Sequence, residues 1–166
     1  MKRTAGSSIY MRNIIFGIED SLAATVGLLA GLATEAVPLS TIILTGFVYI
    51  FVEAFSMGVG SFLSEESAED YEDTKGQGLR TVYASIAMFV ACIVGGFVPL
   101  LPYLVTGGTT AIYTSIALSV FFLGCMGFVQ AKITGKKVWP RILRMVLLGG
   151  TAIAVGVIVG QVVGAA

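Results

Sequence analysis

Carboxylate and thioether side chains stand inside long apolar stretches of this chain of 166 residues. Asp20 lies in the apolar run 13–34. Glu53 lies in the middle of the run 39–64 and is followed four residues later by Met57. A charged side chain at the centre of a bilayer costs about 3 kcal/mol or more, so both carboxylates are candidates for function. In a helix, Met57 would share the face of Glu53.

Two carboxylates and a thioether are suited to binding cations rather than to covalent catalysis. Carboxylate oxygens favour Mg, Ca or Mn, whereas an added thioether favours softer ions such as Fe(II). Carboxylates in such a setting can also exchange a proton for a metal ion. The chain has no His and no CxxC pair. We therefore expect no enzymatic activity and no bound cofactor, with a divalent metal as the substrate. For Met57 there is an alternative to cation binding, because methionine often fills space in the core of a helix bundle.

Acidic residues form a second group directly after the run 39–64. If its helix continues past Ser64, the acidic side chains of the segment 65–78 fall within one arc of about 160°. Such a surface can gather divalent cations at the cytoplasmic mouth of a pathway. The alternative is a solvated helix face.

Composition predicts the elements that must hold these side chains. Of all residues 56% are hydrophobic and only 12% are charged, with a mean hydropathy of +0.92. Soluble domains carry about 25% charged residues. The net charge is zero, which gives no reason to expect nucleic-acid binding. We predict an all-α integral membrane domain over residues 1–166, with five transmembrane helices. Their expected ranges are 13–34, 39–64, 82–104, 111–131 and 142–163.

Details of these runs give three further expectations. Pro99 and Pro102 should kink or fray the third helix near its far end. Cys92 and Cys125 fall inside apolar runs and are expected to be buried thiols rather than a disulfide. On the second helix, the face opposite Glu53 is bulky and apolar and should meet lipid; it holds Val48, Phe51, Val52, Phe55, Val59 and Phe62.

The basic residues predict the orientation of the chain in the membrane. The loops 35–38 and 105–110 contain no Lys or Arg. By the positive-inside rule, the N-terminus is cytoplasmic and the C-terminus lies on the opposite side. The residues that carry this prediction are Lys2, Arg3, Arg12, Lys75, Arg80, Lys132, Lys136, Lys137, Arg141 and Arg144.

Helix geometry places the two carboxylates at similar depth. Asp20 lies about 10 Å and Glu53 about 15 Å from the cytoplasmic end of its helix, at 1.5 Å per residue. The two helices are antiparallel and joined by a short loop, so we expect the carboxylates to approach each other.

Glycines spaced by four mark sites of close helix packing. Gly27 and Gly31 form such a pair in the first run, and Gly156, Gly160 and Gly164 form a longer series in the last. The series indicates either a dimer interface or packing within one protomer. Five helices make a thin wall around a pathway, so we expect a two-fold homodimer.

Two motifs resemble the vacuolar iron transporter family. They are GIEDSLAATVGLLAGLA in the first run and EAFSMGVGSFLSEES in the second. The resemblance implies a five-helix protomer, a two-fold homodimer, and proton-coupled export of ferrous iron, sometimes manganese, from the cytosol. It also implies that Asp20, Glu53 and Met57 line the translocation path. The expected location is the cell membrane of a prokaryote, or a vacuolar or other organellar membrane of a eukaryote.

The chain departs from the family pattern at two places. Many members have a Glu where this chain has Ser61. Iron-transporting members often carry a large Glu-rich cytoplasmic domain between the second and third helices. Here the short segment 65–78 takes its place, and Glu65, Glu66 and Glu69 are its expected metal contacts.

A different class of function also remains open. The chain could be a structural or regulatory membrane subunit whose acids pair with partner helices, because buried charge pairs can serve assembly alone. However, the basic residues all lie near the predicted cytoplasmic ends, which leaves Asp20 and Glu53 without a cationic partner at their depth.

Overall fold

Five long helices make up the part of the chain that the structure, a computed structural model, describes: residues 5–35, 37–71 and 78–164. All five are long and apolar enough to cross a membrane, as predicted, so the protein is a multi-pass membrane protein. They are α1 Ala5–Thr34, α2 Leu39–Tyr71, α3 Gly78–Val105, α4 Gly108–Thr134 and α5 Val138–Gly164.

The second helix is longer than the apolar run that predicts it. It continues past Ser64 to Tyr71 and so carries the first part of the acidic segment as a helical extension. Glu72 and Asp73 lie outside the described residues. Because the extension is helical, Glu65 and Glu69 lie one turn apart on the same face.

The first and third helices form the inside of the bundle. In the most apolar stretch of α1, 61% of residues are buried, and in α3 56%, against 17% to 28% for the other three helices. Leu22, Val26 and Leu29 of α1 are fully buried. The first helix therefore sets the position of every candidate residue, because α2, α3, α4 and α5 all pack around it.

Glycines let α1 and α5 pack backbone against backbone. A Cβ atom added to Gly31 would lie 2.5 Å from the carbonyl oxygen of Gly156, and one added to Gly160 would overlap the backbone of Gly31. Gly27 meets Ala152 and Gly156 in the same way. The glycine series of the last helix thus packs within one protomer at Gly156 and Gly160, which decides between the two interpretations of the sequence for these two residues.

The bulky face of α2 points away from the bundle, as the helical pattern predicts. Val48, Phe51, Val52, Phe55 and Val59 are all exposed. Phe62, the sixth residue of the predicted face, is only partly exposed. In a membrane protein such a face meets lipid acyl chains.

Of the two outcomes predicted for the far end of α3, a kink or fraying, fraying is wrong. The helix runs through Pro99 and Pro102 to Val105. The hydroxyl of Ser115 in α4 donates to the carbonyl oxygen of Pro99 at 2.7 Å, and the backbone N–H of Thr106 donates to that of Pro102 at 2.8 Å. Packing against α4 thus holds this end in place. Cys92 is a buried free thiol, as predicted. Cys125 is also free, but the prediction that it is buried is wrong, because its side chain lies on the exposed side of α4.

Candidate functional site

The carboxylate of Glu53 is held by hydroxyl groups from two helices. Ser21 of α1 donates to Oε2 at 2.7 Å, and Tyr49, one turn earlier on α2, donates to Oε1 at 2.9 Å. Both oxygens therefore have a neutral hydrogen-bond donor. In the described residues no Lys or Arg contacts this carboxylate. The two hydrogen bonds therefore hold the Glu53 carboxylate in one position in the middle of an apolar helix.

Behind this pair of hydrogen bonds lies the backbone of α3. A Cβ added to Gly96 would stand 2.8 Å from Cγ1 of Ile50 and 2.9 Å from the hydroxyl of Ser21. Gly95 approaches α1 in the same way, because a Cβ there would lie 2.6 Å from the carbonyl oxygen of Ile18. The two glycines let α3 press against Ser21 and keep its hydroxyl aimed at Glu53.

Asp20 lies next to this arrangement but does not bond directly to it. Its side chain is partly buried and interacts electrostatically with Glu53. The direct bond across the α1–α2 interface comes instead from the neighbouring Ser21. The predicted approach of the two carboxylates stays a prediction, and the contact that joins α1 to Glu53 is the hydrogen bond from Ser21.

A cavity of about 520 Å³ opens between α1, α2 and α3, on the side of Glu53 toward the acidic extension. Two thioethers line it, those of Met57 and Met88. Met57 also packs against a small buried cluster of Ala54, Met88 and Cys92. Met57 therefore contributes both to packing and to the cavity wall. The complete lining is Arg12, Asn13, Phe16, Ser56, Met57, Gly60, Ser61, Ser64, Glu65 and Met88.

Polar contacts organise the mouth of this cavity. Arg12 of α1 forms an ion pair with Glu65 of α2. Asn13 is buried, and its amide donates to the hydroxyl of Ser61 at 2.8 Å and to the carbonyl oxygen of Ala84 at 3.0 Å. One amide thus ties α1 to both α2 and α3. The hydroxyl of Ser61 accepts one of these hydrogen bonds.

The three acidic residues predicted at the mouth have three different surroundings. Glu65 is paired with Arg12, and its side chain is only 13% exposed. Glu69 accepts a hydrogen bond from the hydroxyl of Thr81 at 2.5 Å, whereas Glu66 is exposed. In residues 5–35, 37–71 and 78–164, no three His, Cys, Asp or Glu side chains lie close enough together to hold a metal ion.

Sequence reasoning gave no role to several residues that build the site. Tyr49 could have been found, because it precedes Glu53 by four residues on the same helical face. Asn13 is a polar residue at the start of an apolar run, which is itself a signal. The roles of Ser21 and Met88 depend on how the helices are rotated against each other, which no local pattern reports.

Comparison with known proteins identifies the family of this chain. The model of the VIT family matches residues 11–81 and 73–161, which together are nearly the whole chain. The chain belongs to the VIT family. Its relatives include "Vacuolar iron transporter 1" of Arabidopsis thaliana, with 23% identity over 96% of this chain and 88% of the relative. "Vacuolar iron transporter homolog 4" of Arabidopsis thaliana shares 30% identity over 85% of this chain and 77% of its own length.

The alignments of this VIT chain with the two relatives differ in length. The alignment with "Vacuolar iron transporter 1" covers 221 positions, so at least 55 of them have no counterpart in a chain of 166 residues. The alignment with "Vacuolar iron transporter homolog 4" covers only 158 positions. In length, this chain therefore resembles the second relative more closely than the first.

Proposed function

We propose that this protein transports divalent metal cations, Fe²⁺ and also Mn²⁺, out of the cytosol in exchange for protons. The observation that carries the proposal is the carboxylate of Glu53, held at the middle of α2 with no cationic partner among the described residues. An intramembrane carboxylate of this kind marks an ion pathway. Membership of a family whose relatives are named iron transporters supports the choice of metal.

On this proposal the metal ion passes from the cavity to the carboxylates. It enters beside the Arg12–Glu65 ion pair, where the acidic extension attracts it. The thioethers of Met57 and Met88 line the next part of the route and favour Fe²⁺ over harder ions. Glu53 and Asp20 then supply the oxygen ligands at mid-membrane.

Proton exchange follows from the same two carboxylates. Two carboxylates at similar depth inside a membrane, without a cationic partner, would not both remain ionised when no cation is near. One of them therefore holds a proton in the empty protein, and an arriving divalent cation displaces it. Return of that proton from the other side completes one cycle of antiport.

A second copy of the chain is part of the proposal. Ser56, Gly60 and Ser64 form a small and polar strip on α2 that is exposed in the single chain. A Cβ added to Gly60 would meet no atom within 4 Å. A two-fold related copy over this strip would shield it from lipid and bring a second Asp20 and a second Glu53 to the pathway.

The direction of transport depends on the orientation predicted from the basic residues. Reporter fusions should place residues 132–141 in the cytoplasm and the C-terminus on the opposite side. An outward location for 132–141 would overturn both the orientation and the proposed direction.

Transport by the purified protein in liposomes tests the proposal as a whole. The wild type should take up Fe²⁺ with a matching movement of protons. The double variant Asp20→Asn, Glu53→Gln should lose both, because it keeps size and hydrogen bonding but removes the two charges. Glu35→Gln is the matched control, since Glu35 lies at the other end of α1, and it should transport normally.

Folded protein must be shown in each case by an unchanged elution volume and melting temperature. Substantial metal flux through the double variant would refute the site. No flux in the wild type would favour the alternative, a structural or regulatory subunit. For that alternative, charge removal would change assembly and not transport.

A further inference from the structure

A second cavity, separate from the one beside Glu53, lies where α4 connects to α5. Its volume is about 370 Å³, and its lining is strongly basic. It contains four of the ten Lys and Arg residues of the chain. The lining consists of Lys136, Lys137, Pro140, Arg141 and Arg144.

Local structure holds these side chains around one space. Gly135 ends α4 in the left-handed conformation, with a φ of 65°, which turns the chain directly into α5. The guanidinium of Arg141 donates to the side-chain oxygen of Gln130 at 2.9 Å and is thereby fixed between the two helices. Arg144 follows one turn later on α5, so it faces the same side as Pro140.

The positive charge around the cavity favours binding of an anion. In the part of the chain that the structure describes, none of its four cations pairs with a carboxylate. The first turn of the 27-residue helix α5 lies at the same place and adds the positive end of its dipole. Four like charges around one space repel one another, and a bound phosphate would relieve that repulsion.

The surface that continues from the cavity indicates a lipid as the source of the phosphate. Trp139 is 74% exposed beside the basic residues, and tryptophan prefers the level of lipid headgroups. Below it on α5, Leu143 and Leu147 are 49% and 58% exposed. They lie three and seven residues after Pro140, so they extend the cavity side of α5 into the membrane.

We propose that this cavity binds the phosphate group of an anionic phospholipid. The headgroup contacts Lys136, Lys137, Arg141 and Arg144, and the acyl chains lie along Leu143 and Leu147. Basic pockets of this kind between membrane helices are suited to such headgroups. The proposal is independent of the transported ion.

Native mass spectrometry of the purified full-length protein tests the proposal with two lipids of equal chain length. Phosphatidic acid should be retained and phosphatidylcholine should be lost. The variant Lys137→Gln, Arg144→Gln should bind phosphatidic acid more weakly by about fivefold for each charge removed, which is roughly 1 kcal/mol per charge. Higher ionic strength should weaken binding in the wild type.

Lys132→Gln is the matched control. Lys132 lies near the same end of α4, with its ammonium 5.6 Å from the ring centre of Phe128, and does not line the cavity. It should therefore retain phosphatidic acid like the wild type. An equal loss in this control would show only a general surface charge. Equal retention of both lipids would show no preference for an anionic headgroup, and either result would overturn the site.

Two further measurements keep the test decisive. Arg144→Lys preserves the charge and should bind more tightly than Arg144→Gln, whatever the variants do to stability. Inorganic phosphate should not displace the lipid at concentrations that saturate a free phosphate site. If it does, the ligand is a soluble phosphate and the assignment to a lipid is wrong.

Discussion

The two sides of α1 are built in different ways. On one side, Gly27 and Gly31 bring its backbone against Gly156 and Gly160 of α5, with no polar side chain in the contact. On the other side, Ser21 donates to Glu53 of α2 across a polar interface that leads into the cavity. Close backbone packing holds the α5 side, whereas hydrogen bonds beside the cavity hold the α2 side.

The difference indicates that the α5 side of α1 holds the helix in position, whereas the α2 side carries the candidate site. Backbone packed on backbone leaves no room for a new atom, so the α1–α5 side fixes the height and rotation of α1. On the proposed function, a cation would replace the hydrogen bonds that Ser21 and Tyr49 donate to Glu53. We therefore expect changes on the α5 side to affect folding and changes on the α2 side to affect transport.

The largest effect is expected from a single methyl group on the α5 side. Gly156→Ala places a Cβ against the backbone of Gly27 and should lower the free energy of unfolding by about 1–3 kcal/mol. A Cβ added to Gly150 on the same helix meets no atom within 4 Å, so Gly150→Ala should unfold like the wild type. Melting temperatures in the same detergent compare the two.

Transport measurements on the same two glycine variants provide a second test. Any Gly156→Ala protein that folds should transport less, because a displaced α1 no longer presents Ser21 to Glu53. Equal stability and equal transport in both glycine variants would show that the α1–α5 contact does not hold the bundle as described.

A smaller and more selective effect is expected at the thioethers on the α2 side. Met57→Leu keeps the volume and removes the sulfur, so Fe²⁺ transport should fall by about fivefold, roughly 1 kcal/mol, with Mn²⁺ less affected. Met88→Leu should act in the same direction, because Met88 lines the same cavity.

The control for packing is Met145→Leu, since Met145 is buried at 2% exposure and lies on α5. It should change neither rate. Equal losses for Fe²⁺ and Mn²⁺ in Met57→Leu would reduce this residue to core filling.

The sequence predicts the elements of this molecule well and their mutual placement only in part. Length and hydropathy are enough for five helices, because a membrane imposes both. The helical period is enough for the faces of α2, which is why the exposed row from Val48 to Val59 agrees with expectation. These properties all belong to single helices.

Contacts between helices depend on height and rotation, which glycine contacts set in this bundle. Gly96 aligns Ser21 with Glu53, and the position of α3 brings Met88 to the cavity. Likewise, the ion pair between Arg12 and Glu65 joins residues 53 positions apart. A local pattern identifies the chemically unusual residues but not the partners that fold around them.

The smallest effect is expected at the acidic extension of α2, which lies at the mouth of the cavity on the α2 side of α1. Replacing Glu65, Glu66 and Glu69 together by Gln should raise the apparent KM for the metal by about twofold to threefold at low salt and leave the maximal rate nearly unchanged. The reason is that attraction precedes translocation. The change should shrink at 1 M salt, where charges are screened within about 3 Å.

The Arg12–Glu65 ion pair predicts that two single variants change the apparent KM in opposite directions. Because Arg12 neutralises Glu65 at the rim, Arg12→Gln should lower the apparent KM, whereas Glu65→Gln alone leaves an unpaired cation there and should raise it. Initial rates at low metal concentration distinguish these outcomes. If the triple variant and Arg12→Gln both transport like the wild type at low salt, the acidic extension is a solvated helix face and loading begins inside the cavity.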